Sequence, residues 1–566
     1  MLQEFAYFAL IAVTLILAFP FGWYLAKVFK GEPNLLTPLL RPIERRIYRV
    51  CGINENSEMT WKKYVATLVG FETLGVVFAF VILSLQGVLP LNPHGVSSFR
   101  WDWAVNSAIS WVTNTNWIAY SGERDLSYLS DMLGVLVEDY VSPSVGFVAI
   151  VVLARSFSRK HCPTVGNFWV DFTRAILYVW IPLGLILVFP LISQGVVQNF
   201  DPYAVAHTLE GGVQLIPGGP AATIVVYQLI CEDGANFFAN AMAHPFENPT
   251  PFTNWFTMAY ILFVPAAIVV MIGKLAISRD TTKALFAVML VLFILVMPLP
   301  FYAENQGNPL LEKLGVQGGV NMEGKEMRFS MFEHIMYIIV GMAPANGSTV
   351  AQHDSVMPLT ILTIIFMIVI GAPIFGCIGE GPMALIHYFI VTMFIAGLMT
   401  GRTPELIGKK VELREIILAG ASFLFSSFSS LMTTAIVIVS AAGMAALGNA
   451  GPHGLTEMLY AFTSASINNG SYMGGLNVNS YIINLMTPPC MILGRYSTLL
   501  VGIAIAGSMA RKGHIPISAA TLPVASPLFI ITVVFVVFVI SALCFFPVAT
   551  IGPILEHLLM ASGRTF

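Results

Sequence analysis

Long apolar runs alternate with short polar connections along almost the whole chain. A helix needs about 20 apolar residues to cross a hydrocarbon core. Runs of that kind fall near 5–27, 62–87, 130–154, 168–195, 253–276, 284–303, 356–400, 413–442, 480–510 and 526–548. The 356–400 run is too long for one straight helix and is interrupted by GAPIFGCIGEGP (371–382), so it reads as a single discontinuous passage. The pattern predicts ten crossings. The first run, MLQEFAYFALIAVTLILAF, has no basic leading region and no small-residue cleavage site, and reads as a retained span.

Basic residues test that count. They cluster at Lys27, Lys30, Arg41, Arg45, Arg46, Arg49, Lys62 and Lys63, and again at Arg155/Arg159/Lys160, Lys274/Arg279/Lys283, Arg402/Lys409/Lys410/Arg414 and Arg511/Lys512. With ten crossings every cluster lands on one side. The positive-inside rule makes that side cytoplasmic and puts both termini outside. An eleventh crossing within 356–400 would break the agreement.

Composition agrees with the spans. The 566 residues are 56% hydrophobic and only 10% charged, with mean hydropathy +0.78, whereas a soluble domain carries about 25% charge. The net charge of −3 and the lack of a long basic run give no sign of a nucleic-acid partner. Cys51, Cys162, Cys231, Cys377, Cys490 and Cys544 form no CxxC pair and no metal-ligand spacing, so neither a disulfide scaffold nor a zinc site is expected.

The polar residues that do sit among apolar ones follow a rule. Each outside connection holds a short apolar stretch ending in small polar residues: TNTN (113–116), EDGAN (232–236), PANGS (344–348) and INNGS (467–471). Asn116 precedes Gly234 by 118 residues, Gly234 precedes Gly347 by 113, and Gly347 precedes Gly470 by 123. Such a period marks an internal repeat, each unit reading as span, half-helix, polar turn, span. Irregular backbone at membrane depth is tolerated only where it lines a cavity. Four such turns about one axis would ring a dehydrated cation with oxygens, and half-helices ending there would add negative dipole. The competing reading, small polar residues gluing helices together, does not account for four turns at one period.

The residues reached here resemble those of the KdpA family, potassium-translocating subunits of a bacterial high-affinity K⁺ P-type ATPase. The resemblance runs nearly end to end and is strongest at TNTNW (113–117), GNFWVDFTR (166–174), HPFENPT (244–250), NMEGKE (321–326), HDS (353–355), GLMTGRTPELIGKKVELRE (397–415) and NNGS (468–471). It implies an all-α polytopic membrane protein of the K⁺ transporter superfamily. Ten transmembrane helices would form four pseudo-symmetric helix–pore-loop–helix repeats around a central pore, with one extra helix at each end. The corresponding segments are 1–30 (first extra span), 60–160, 161–280, 281–412 and 413–514 (four repeats, the third with a broken second helix) and 520–566 (last span and tail).

Carried over residue by residue, the resemblance implies a K⁺ filter. It would be built from Thr113, Asn114, Thr115 and Asn116; from Glu232, Asp233 and Gly234; from Ala345, Asn346 and Gly347; and from Asn468, Asn469 and Gly470. It implies gating or tunnel roles for Arg402 and for positions 378 and 380 in the glycine-rich break, where the ion would be diverted sideways. It further implies K⁺ as the transported ion with no cofactor. The expected partners are a KdpB-like ATPase subunit with KdpC-like and KdpF-like subunits, in a bacterial or archaeal cell (inner) membrane. Departures from the family pattern are Ile118, where Gln is usual, EDGAN where TNGGG is usual, Ala-Asn before the third glycine, and Glu138-Asp139 in place of a Gln-Asn pair.

A carboxylate at a span centre costs about 2.5–3.5 kcal/mol, so Glu232, Asp233, Glu138 and Asp139 must face the pore, meet a cation, pair with Arg402 or Arg495, or be protonated. Glu232 and Asp233 read either as a high-field cation site or as part of an outer vestibule, and Glu138-Asp139 as exposed at a cavity or helix end. Asp354 is expected to cap the next helix, Glu457 to offset a half-helix dipole, and Asp171 to pair with Arg174. GKKVELRE (408–415) lacks the phosphate-loop spacing, and no DKTGT phosphorylation motif occurs. The chain is therefore expected not to hydrolyse ATP by itself. A stand-alone cation channel or proton/cation-coupled transporter of the same fold is the alternative, and a non-transporting sensor or scaffold a more remote one.

Overall fold

The computed structural model describes residues 2–234, 237–239, 241–316, 318–401, 404–515 and 522–564. Among these, ten helices are long and apolar enough to cross a membrane: Glu4–Lys30, Trp61–Val88, Tyr128–Ser158, Phe168–Ser193, Pro251–Leu275, Arg279–Lys313, Glu380–Met399, Leu413–Ile438, Tyr481–Arg511 and Pro527–Ala561. They are the ten crossings expected. The seventh passage is broken as anticipated: a short apolar helix, Pro358–Val369, is separated from Glu380–Met399 by the glycine-rich turn.

Four shorter helices, Trp101–Val112, Ala221–Ile230, Met331–Met342 and Gly451–Ser466, stand between paired spans. They are pore half-helices, each ending at one of the polar turns. Their starts are fixed locally. Ser330 and Glu333 form a reciprocal capping box at the third, and Pro452 sits in the first turn of the fourth, where its missing N–H costs nothing. The spans nearest the axis are covered by protein and the outer ones are left for lipid: 83% of the apolar window of the fifth span is buried, against 22% in the second. The first span lies along the fifth, with Gly22 against the Ala267 carbonyl and the Phe21 and Phe263 rings stacked at 5.0 Å.

The five basic connections meet on one face. Strand Met59–Thr60 pairs with Thr164–Gly166, joining the first and third connections. Lys409, in the seventh, is fully buried. Its Nζ donates to the carbonyls of Ser156 (3.0 Å), Met509 (2.5 Å), Lys512 (3.2 Å) and Arg159. One ammonium thus caps the ends of the third and ninth spans. The residues of GKK therefore serve as a structural bolt.

On the same face, helix Thr37–Val50 follows the first span after a six-residue turn. Its buried Glu44 accepts from Arg41 Nη1 (2.9 Å), Arg174 Nε (3.0 Å), Tyr48 Oη (2.7 Å) and Tyr178 Oη (2.9 Å). Arg174 is thereby taken from Asp171, whose expected pairing does not form; Asp171 instead binds Arg155 at 2.8 Å. Helix spacing made the two neighbours, but each finds a stronger partner on another element. On the opposite face, Asp354 does not cap the following helix. It faces His453 Nε2 at 3.1 Å, and His453 Nδ1 reaches Glu556 at 2.7 Å. The helix start is held instead by Glu304, which accepts from the Met357 amide at 2.7 Å. Glu457 accepts from the amides of Gly448 and Asn449, the structural role expected of it.

Candidate functional site: a ring of four pore loops

Each polar turn has the same backbone signature. The residue before the central position and the one after it both take positive φ: Asn114 (54°) and Asn116 (49°), Glu232 (61°) and Gly234 (74°), Ala345 (65°) and Gly347 (87°), Asn468 (55°) and Gly470 (80°). Five of the eight are not glycine: left-handed backbone is uncommon outside glycine, with asparagine among the better tolerated exceptions, and asparagine supplies three of the five. Glu232 and Ala345 are held left-handed by their surroundings. The central residues between them are Thr115, Asp233, Asn346 and Asn469.

Side-chain amides close the four turns into a ring. Asn114 Nδ2 donates to the carbonyls of Cys231 (3.3 Å) and Glu232 (3.2 Å), joining loops one and two. Asn346 Nδ2 reaches the Gln228 carbonyl at 3.4 Å, joining three to two. Asn469 Nδ2 meets the Met342 sulfur at 4.0 Å, joining four to three. Asn468 Nδ2 donates to Thr115 Oγ1 at 2.7 Å, joining four to one. Within loops three and four the same device recurs: the amides of Ser348 and Ser471 donate to Asn346 Oδ1 (3.3 Å) and Asn469 Oδ1 (3.2 Å). The glycines allow the loops to approach. A Cβ on Gly347 would overlap the Asn469 carbonyl, and one on Gly470 the carbonyls of Thr115 and Asn116. Thr113 stands at the end of the first half-helix, its hydroxyl 2.7 Å from that of Thr115.

Above the ring lies a cavity of about 520 Å³, whose wall includes Asn116, Gly347, Asn469, Gly470, Lys325 and His353. Glu232 and Asp233 are not part of that wall. They are buried, and none of their four carboxyl oxygens has a hydrogen-bond partner among the described residues. The vestibule reading of these acids does not fit that placement. Glu138 and Asp139 are likewise buried inside the third span, just after a widened turn at Asp131–Val135, and are not exposed at a helix end. Unpaired carboxyls at this depth are costly as anions, so each of these groups carries a proton or meets a cation. Lys325, at the vestibule, is drawn below its ordinary value by burial, partly offset by Glu304 3.0 Å away.

Below the ring the broken passage supplies the floor. Positions 378 and 380 are Ile378 and Glu380, not glycines; the glycines of the break are Gly371, Gly376, Gly379 and Gly381. Gly379, at φ 86°, is required, because a Cβ there would overlap the Gly146 carbonyl of the third span. The Cys377 amide donates to the Pro344 carbonyl at 2.7 Å, tying the break to the third loop. Glu380 is paired with the fully buried Arg495, which also donates to the Ser142 carbonyl at 2.7 Å. Position 380 was expected to matter as part of the break and not as an acid, and the buried Glu72, whose carboxyl oxygens have no hydrogen-bond partner among the described residues, was not expected; the signal for both is a charge inside an apolar window. Arg402 lies outside the described residues.

A small cavity of about 20 Å³ opens under the fourth loop between Asn468, Glu380, Gly371, Ser426 and Thr498. A neighbouring cavity of about 30 Å³ shares Gly371, Ser426 and Thr498 and reaches Tyr388, Ser422 and Ser541. The two lie beside the break, between it and the last span, and the hydroxyls of Ser422, Ser426, Thr498, Tyr388 and Ser541 are among their lining groups.

Ten spans, four pore loops and a closed ring of loop backbone define a polytopic membrane protein of the pore-loop transporter class. The solved structure of the potassium transporter TrkH from Vibrio parahaemolyticus shares this fold, with a TM-score of 0.50 at 13% identity over 88% of this chain and 97% of that one. The chain belongs to the family described as potassium-transporting ATPase A subunit, KdpA, which matches residues 8–558. Curated relatives named potassium-transporting ATPase potassium-binding subunit include those of Solibacter usitatus, 41% identical over 98% of both chains, and Pseudomonas aeruginosa, 42% identical over 98% of both. That of Methylorubrum extorquens is 42% identical over 98% of this chain and 97% of its own.

Proposed function

We propose that this chain is the K⁺-binding and translocating subunit of an ATP-driven uptake complex. The closed ring of four loops, each with the same alternation of backbone hand, carries the proposal. Reversing φ at alternate residues lets successive carbonyls face one side of the strand, and four strands so arranged offer a dehydrated cation a cage of oxygens. The side chains of Asn114, Asn346, Asn468 and Asn469 are engaged in bracing, which leaves the backbone carbonyls of Asn114–Asn116, Glu232–Gly234, Ala345–Gly347 and Asn468–Gly470 as the ion's ligands. The four half-helices end at the ring and add negative dipole there.

From the ring the ion passes into the hydroxyl-lined cavities beside the break and leaves sideways, towards a KdpB-like P-type ATPase subunit. Arg495 and Glu380 guard that turn, and the gating role that the family resemblance implies for Arg402 belongs to the same proposal. The chain supplies no ATP chemistry; KdpC-like and KdpF-like subunits complete the assembly. The repeats run 60–160, 161–280, 281–412 and 413–514, with the basic face in the cytoplasm and both termini outside the inner membrane.

The test is purification with the neighbouring gene products left in place, followed by cation-stimulated ATP hydrolysis and competitive uptake among K⁺, Na⁺, Rb⁺ and NH₄⁺. The expected result is K⁺-stimulated hydrolysis with co-purification of an ATPase subunit. Passive or proton-coupled cation flux by the chain alone, with no ATPase subunit retained, would establish the stand-alone channel or transporter instead.

A further inference from the structure

Helix Thr37–Val50 is held against the protein by one side only. At roughly 100° per residue its surface divides into three sectors. Leu40, Glu44 and Tyr48 face the protein, with Glu44 and Tyr48 buried. A second sector carries Leu39, Ile43 and Val50, which are 69%, 45% and 83% exposed. The third carries Arg41, Arg45 and Arg49, with Pro38 and Pro42 between them. The helix carries four arginines and one glutamate, the buried anchor; Arg41 is taken by that glutamate and by Glu55 at 2.7 Å, which leaves three. Arg45, Arg46 and Arg49 are exposed and have no acidic partner among the described residues. An open cleft of about 590 Å³ runs between the arginines and is lined by residues of this helix alone.

The anchor fixes the depth. Glu44 is bound by Arg174 and Tyr178, which lie six and ten residues into the span that begins at Phe168. At 1.5 Å per residue that is about 9–15 Å from the span's end. The helix therefore lies along the boundary between headgroups and acyl chains, on the face that gathers the basic connections. Exposed leucine, isoleucine and valine on one side and unpaired arginines on the other are what that boundary accommodates. A helix facing only water would leave the apolar sector without cover.

We propose that this helix is a binding surface for anionic phospholipid. Leu39, Ile43 and Val50 enter the acyl boundary, and Arg45 and Arg49 hold phosphodiester oxygens between them. Arg46, which projects from the apolar sector, reaches back to the same headgroup level by extending its long side chain. The surface is separate from the ring of pore loops, so its loss leaves the ion path in place.

The experiment uses the full complex reconstituted into nanodiscs of phosphatidylcholine, with or without a quarter of phosphatidylglycerol. Lipid retained after extraction into detergent is identified by mass spectrometry. Wild type should retain phosphatidylglycerol at least fivefold over its share of the bilayer, and 0.5 M NaCl during extraction should weaken the enrichment, since exposed charges are screened within a few ångströms at that ionic strength. The variant Arg45→Gln/Arg46→Gln/Arg49→Gln should lose the enrichment while uptake in pure phosphatidylcholine is unchanged. The conservative Lys triple should keep most of the enrichment. Equal enrichment in wild type and the Gln variant overturns the proposal. So does a Gln variant that keeps its phosphatidylglycerol but no longer co-purifies with the ATPase subunit, which would assign the face to a protein partner.

Discussion

Gly470 has no room for a side chain beside the Thr115 carbonyl. Its φ is +80°, and a Cβ would overlap that oxygen and the one that follows it. This is the contact through which the fourth loop closes on the first. Gly470→Ala is expected to lower K⁺ affinity at least tenfold and to erode the preference for K⁺ over Na⁺, with insertion retained. Strain at a non-glycine left-handed residue costs about 1–3 kcal/mol, and about 1.4 kcal/mol is already tenfold. Gly420→Ala, where nothing lies within 4 Å of the new Cβ, is the control. Competitive uptake measures both, and an unchanged K⁺ over Na⁺ ratio in Gly470→Ala would remove this ring from the ion path.

Glu232 and Asp233 place two carboxyls in one quadrant of the ring. Protonation removes their attraction for a cation, so uptake affinity is expected to fall as the pH is lowered. Glu232→Thr/Asp233→Asn should flatten that dependence. It should also shift selectivity towards K⁺ over smaller ions, because weaker ligands favour the more easily dehydrated cation. The measurement is competitive uptake across pH, wild type against double variant. Identical profiles would show that the permeating ion does not meet these acids.

Lys409 holds the ends of two spans with one ammonium. Lys409→Met leaves four carbonyls without their charged donor and two helix ends without a counter-charge. The expected loss is about 2–4 kcal/mol, read as a lower Tm. Lys409→Arg should not restore it, because a planar fork cannot meet carbonyls converging on one point. Thermal unfolding of the detergent-solubilised protein tests both.

His453 joins the third loop's exit to the last span. Burial opposes its charge, but the hydrogen bonds it donates to Asp354 and Glu556 outweigh that and push it up to about 10. A histidine raised in the folded state contributes stability that is complete below its unfolded value of about 6.5 and disappears as pH rises through about 10. Tm should therefore fall between pH 6.5 and 10 more steeply in wild type than in His453→Gln. Parallel curves would show that the bridge adds no stability.

Spans, half-helices and the four turns were legible because period and hydropathy are local properties. The partners were not. Asp171 and Arg174 sit three apart on one helix, yet Arg155 and Glu44 claim them from elsewhere in the chain. Asp354 has the residue type of a cap, but His453, almost a hundred positions on, takes it. The spacing of the turns announced a ring, whereas the bracing of Asn114 on loop two or Asn468 on Thr115 depends on which loops become neighbours in space. Position 380 was legible as part of the glycine-rich break, but the charge of Glu380 gains its meaning only beside Arg495, more than a hundred residues away in sequence.

Because the ring is written four times in one polypeptide, its quadrants are free to differ. In a pore built from four identical copies, a Glu-Asp pair in the loop would appear fourfold and set eight acids around one ion. Here the same two codons change a single quadrant, and the other three keep their Asn, Ala and Gly. Duplication within one gene thus lets one quadrant of the ring change while the others stay as they are, and lets the wall be broken in one repeat alone.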